Sequence, residues 1–119
     1  MTPEDLRRLA ERRLAESRST SADAGRLRVE AAGLSGLLEP LLAMSREVWV
    51  GPAAAEFEAE LGRHGSTLAD QANRLVRLAG ELDDRVTSLR SEASSLREQA
   101  AVAEAAENMA LVSPLDEVV

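Results

Sequence analysis

Leucine recurs at every seventh position along much of this chain. Leu61, Leu68, Leu75, Leu82, Leu89 and Leu96 keep a strict interval, and a second series of mostly small residues (Gly65, Ala72, Ala79, Val86, Ala93 and Ala100) runs beside it. Two apolar positions repeating every seven residues describe a helix that packs along one seam. Leucine at one position and a small side chain at the other allow two helices to approach closely in a left-handed supercoil. The pattern predicts a helix over about 52–107, with Phe57 joining the seam near its start. Val76 and Leu78 widen the apolar face at mid-helix and predict a second contact surface there. Upstream, Leu27, Leu34, Leu41 and Val48 repeat in the same way beside Ala24, Ala31, Leu38 and Ser45, which predicts an earlier helix over about 3–47.

The helix boundaries carry their own signals. Thr2 is a good N-cap, Pro3 suits the first helical position, and Glu4 and Asp5 place carboxylates at the positive end of the helix dipole. Leu6, Leu9, Ala10 and Leu14 then form one apolar face. Arg7, Arg8, Arg12, Arg13 and Arg18 lie around it, interleaved with Glu11 and Glu16. This is a solvated face with Glu4–Arg8 and Arg12–Glu16 pairs at helical spacing in preference to a basic binding patch. Ser17 to Ser21 weakens the helix, and Thr20 with Asp23 resembles a fresh capping box, so a break is expected at 17–21 even though the apolar register survives across it. Gly33, Gly36 and Pro40 predict a kink near 36–40, with close approach of a facing helix as the other use for the glycines. Between the two helices Trp49-Val50-Gly51-Pro52 reads as a turn over 48–51. Gly51 supplies unusual backbone angles and Pro52 opens the second helix. Beyond residue 107 the chain changes character, and with Pro114 in it the segment 108–119 is expected to be a flexible tail.

Folding back at Trp49 sets residue 10 opposite about residue 89. It also turns the arginine-rich first segment toward Asp83, Asp84 and Glu92, and leaves an end of the second helix, carrying Glu104 and Glu107, without cover from the chain itself. The expected fold is therefore all-α, an antiparallel helical hairpin forming one domain over 1–107. Two helices alone bury little, so a second hairpin is expected to complete a dimeric four-helix bundle. Whether the second chain is identical stays open.

Composition narrows the chemistry. The chain of 119 residues is 45% hydrophobic and only 2% aromatic, with a formal net charge of −7. The acidic balance argues against nucleic acid and against an anionic membrane surface. All 14 cations are arginine, which fits the codon bias of a GC-rich bacterial genome, and no cysteine is present to form a disulfide or a thiolate metal site. No apolar run is long enough for membrane insertion, and the charged start Met-Thr-Pro-Glu-Asp-Leu-Arg-Arg lacks the apolar core of a secretory signal. His64 is the only histidine, and converging partners for acid–base or metal chemistry are missing around it in the sequence. Asp83 and Asp84 are adjacent on a helix and so point about 100° apart. No catalytic, metal-binding or cofactor-binding residue is assigned, and the chain is not expected to be an enzyme.

Trp49-Val50-Gly51, followed by Pro52-Ala53-Ala54 with Phe57 and Leu61, resembles the W-x-G-x-A-A…F…L signature of WXG100-type proteins, the small helical hairpins of type VII (ESX-like) secretion in Gram-positive bacteria. The likeness covers about residues 25–107. It implies a homodimer or a heterodimer with a second such hairpin, cytoplasmic before export and then secreted folded, without a cleavable signal, by a membrane ATPase. It also implies that Trp49 and Gly51 shape the turn and contribute to a groove facing a partner or the machine; a turn packed by its own tryptophan is an equally weighted reading. The family's export signal is Tyr-x-x-x-Asp/Glu after the second helix. This chain has no tyrosine, and only Val112 and Asp116 keep that spacing. In paired systems one member can carry the signal for both. The segment 2–18 is also longer than the simplest members need. Two other readings stand beside this one: a cytosolic adaptor or chaperone that caps the helical targeting region of a larger effector or toxin, and a self-assembling coiled-coil protein unconnected with secretion.

Overall fold

The computed structural model describes the backbone of residues 1–48 and 51–118, and the side chains of these residues except 38, 41, 42, 44–48, 54 and 112–118. The chain is an all-α helical hairpin of two helices, α1 (Pro3–Val48) and α2 (Pro52–Val118).

Both helices start with the same backbone device. The Thr2 carbonyl accepts the first helical bond from Leu6 N–H at 3.1 Å, and the Gly51 carbonyl accepts the corresponding bond from Ala55 N–H at 3.2 Å. Each is thus an N-cap followed by a proline whose missing N–H leaves nothing unsatisfied. At α1 the cap is reinforced by a reciprocal pair: Asp5 N–H donates to Thr2 Oγ1 at 3.1 Å and Thr2 N–H to Asp5 Oδ2 at 3.2 Å. Asp5 here occupies the place usually taken by Glu or Gln in a capping box. Gly51 has no side chain to offer α2. Its contribution is a φ of 109°, as expected for the turn.

Two expectations about helix continuity are corrected, the break at 17–21 and the tail beyond 107. The helix does not break at 17–21. Ser17 falls on the heptad seam, is 2% exposed, and its hydroxyl donates to the Leu14 carbonyl at 2.7 Å. Burial of a small, internally satisfied side chain outweighs serine's modest helix propensity. Asp23, the would-be partner of Thr20, instead holds Arg26 at 2.8 Å. α1 continues through Pro40, and nothing described lies within 4 Å of a Cβ built on Gly33 or Gly36, so no described part of a facing helix uses their small size. Finally, α2 continues to Val118 where a tail was expected from 108. Ala103, Ala105, Ala106, Glu107 and Ala110 are strong helix formers and favour continuation of the helix past residue 107.

The chain divides into two compact units, residues 1–21 with 83–119 and residues 22–82. In the first, Leu6, Ala10, Ser17, Val86, Leu89, Ala93 and Ala100 are buried, with Leu89 and Ala10 fully covered. In the second, the buried positions among the described residues are Ala24, Ala31, Gly65, Ala72 and Ala79, all small. Small side chains spaced by seven bring helix backbones together, and there is no slack for a larger group.

Three outcomes are expected from this architecture. Gly51→Ala places a Cβ at a positive φ and should lower stability by about 1–2 kcal/mol in urea titrations followed by far-UV circular dichroism. Ala10→Leu or Ala79→Leu should cost about 1–3 kcal/mol by overpacking, and Leu89→Ala about 2–5 kcal/mol by leaving a cavity.

Candidate interaction surface

Within the unit formed by residues 1–21 and 83–119, ion pairs between described residues link the two helices. Arg7 pairs with Glu104, Arg97 with Glu11 at 2.7 Å, Arg13 with Glu92 at 3.2 Å and Arg85 with Glu16 at 3.5 Å. Along α1 the charges alternate, Arg7, Glu11, Arg13, Glu16, and each meets its opposite on α2. Glu16 and Arg85 each precede a seam residue by one position, whereas Arg7 and Glu104 each follow one by four, so the pairs lie on both edges of the seam. Exposed pairs of this kind add little stability but penalise every register that juxtaposes like charges.

The pairs also correct the expected register. Residue 10 is flanked by the Arg7–Glu104 and Arg97–Glu11 pairs, and therefore lies beside the 97–104 stretch and not beside 89. Buried small residues and the charge ladder, and not the count of residues from the turn, fix the alignment. Of the acids expected to meet the arginines, Glu92 does so. Glu104, expected to be without cover from the chain, is held by Arg7. On α1 itself the Glu4–Arg8 pair forms at 2.7 Å as expected, but Glu16 takes Arg13 at 3.4 Å, with Arg85 across the seam, in place of Arg12.

Hydrogen bonding from the Arg7 guanidinium, with its charge adding to the effect, holds the Glu104 carboxyl below its ordinary value of 4.5 and raises Arg7 further. The Thr2 side chain, then its backbone, does the same for Asp5 relative to 3.8. His64 is exposed on α2, and among the described residues no three His, Cys, Asp or Glu side chains come together as a metal site.

The leucine series behaves differently from the alanine series. Leu27, Leu34, Leu61, Leu68, Leu75 and Leu82 are only half-buried, as is Leu96, whereas Leu89 is closed. Near the half-buried leucines of residues 22–82, Val76 is 50% exposed, Leu78 44% and Phe57 40%. Of the remaining expected positions, Gly51 and Pro52 lie at the start of α2 and both are exposed. Trp49 and the Leu41 side chain lie outside the described residues. So do the side chains of Val112 and Asp116, although their backbone belongs to α2 and not to a segment beyond it. The chain matches no family model, no curated protein and no solved structure. Among the described residues no helix is long and apolar enough to cross a membrane.

What the described surface offers is therefore apolar area at helical spacing. Sequence reasoning placed the leucines on the seam. It did not find which series closes and which stays half open, because that depends on how near the small residues let the helices come.

The lowered carboxyl of Glu104 gives a pH expectation. A depressed folded-state pKa contributes stability above the ordinary value and loses it as pH falls through the folded-state value. Thermal midpoints between pH 5.5 and 3 should fall less steeply in Glu104→Gln than in the parent chain.

Proposed function

We propose that this chain works by protein–protein pairing, as a WXG100-like helical hairpin that is a substrate or partner subunit of a type VII (ESX-like) secretion system. The observation that carries the reading is the uneven cover of the two heptad series: alanines closed within the hairpin, leucines half open beside exposed Val76 and Leu78. A half-covered leucine row at seven-residue spacing matches what a second hairpin would present, and two such rows together make a four-helix bundle. The second hairpin is a copy of this chain or a related one, and the wider partners are a secretion ATPase or a larger effector. Support for the family reading comes from the Trp49-Val50-Gly51 signature, with Gly51 at positive φ immediately before Pro52. On this reading the chain is cytoplasmic before export and secreted without a cleavable signal peptide.

One observation favours a second reading. The chain has no tyrosine, so the family's usual export signal cannot be written in it. A hairpin that stays in the cytosol as an adaptor, capping the helical targeting region of a larger effector or toxin, needs no such signal.

The native mass of the purified chain, alone and then mixed with candidate partner hairpins, tests the pairing. Val76→Glu with Leu78→Glu changes two exposed positions, and is expected to reduce the assembled mass to that of one chain while helical content is unchanged. An unaltered mass distribution would remove the pairing surface from these residues. Accumulation in culture medium only when the secretion machine is active supports the substrate reading, and cytosolic retention in complex with a larger protein supports the adaptor.

A further inference from the structure

We infer that the hairpin opens in parts: residues 22–82 separate and re-close while the pair of segments 1–21 and 83–119 stays shut. The inference concerns one chain by itself and holds whichever partner it meets.

The unequal distribution of helix-weakening residues carries it. All seven glycines of the sequence lie between residues 22 and 82, and six of them fall inside helices. Gly25, Gly33, Gly36, Gly62 and Gly80 make no room for any described part of the chain itself, since nothing lies within 4 Å of a Cβ built at any of them. Each costs helix stability without a packing return. Relative to alanine, a helix-interior glycine favours the opened chain by roughly two- to fivefold in the equilibrium constant, through the backbone freedom it regains. Pro40, inside α1 in the same unit, removes one more backbone hydrogen bond. Among the described residues the buried positions here are alanine and glycine, which recover little apolar area, and the described seam leucines beside them are half-covered.

Residues 1–21 with 83–119 have the opposite character. They contain no glycine, begin with the Thr2–Asp5 reciprocal cap, and bury Leu6, Val86 and Leu89. Proteins open in contiguous units whose free energies follow such differences in burial and local propensity. Opening of 22–82 would present the alanine seam and the leucine row together, on helices still held in register by the closed unit. A partner helix could then enter without either hairpin unfolding completely.

Native-state hydrogen exchange read by mass spectrometry on the full chain tests this. After correction for intrinsic rates, peptides from 22–48 and 51–82 should exchange at least about tenfold faster than peptides from 5–21 and 83–104, with both sets slower than an unfolded chain. Equal protection in the two units would overturn the proposal. In the triple variant Gly33→Ala/Gly36→Ala/Gly62→Ala, exchange in 22–82 should slow by roughly tenfold to a hundredfold, with the other unit unchanged. Equal slowing in both would mean that the chain opens as one piece and would also overturn it.

Discussion

Close approach of two helices at small residues is the constraint on which this protein depends. Where Ala10, Ser17 and Ala93 or Ala24, Ala31 and Ala79 sit on the seam, there is no side chain long enough to hold the backbones apart. The gain from each alanine is small, because little apolar area disappears. The gain from the arrangement is collective: dispersion contacts along the length of the helices, and a geometry that leucine cannot share. Most of the leucines, Leu6 and Leu89 excepted, therefore lie on the flanks, where one helix covers only part of each. The half-open row is thus a by-product of the same spacing that closes the alanines.

Electrostatics then does what burial by small residues cannot. An alanine seam has weak preference for one alignment over another seven residues away, since the next alanine fits as well. Alternating Arg7, Glu11, Arg13 and Glu16 against Glu104, Arg97, Glu92 and Arg85 gives one alignment four attractive pairs. Sliding by a heptad dismantles them. Each pair is exposed and contributes little by itself, but together they discriminate between registers that packing alone leaves nearly equal.

Much of this was legible in the residues. The seven-residue repeats of leucine and alanine give two helices, and Thr2-Pro3 and Gly51-Pro52 mark where each begins, because capping and proline chemistry is local. Continuity through Ser17 was not legible: whether a serine breaks a helix depends on whether a neighbour buries it. The register was not legible either, since counting outward from the turn ignores which charges meet. The extent of α2 beyond residue 107 turns on alanine propensity against a single proline. At the surface, the leucine positions could be read from sequence. Their half-exposure could not, being a property of the distance between two helices.

The ladder has a consequence for how the molecule is made. Arg7 and Glu104 stand 97 residues apart in sequence, and Glu11 and Arg97 are separated by 86. On the ribosome, the first segment of α1 emerges long before the partner that fixes its alignment has been synthesised. Until residue 104 has left the exit tunnel, this arginine-rich helix waits with its apolar side unclaimed. Nascent chains that stop early would carry the turn and the glycine-rich stretch but not the contacts that close the ends, which makes them natural clients for chaperones and proteases.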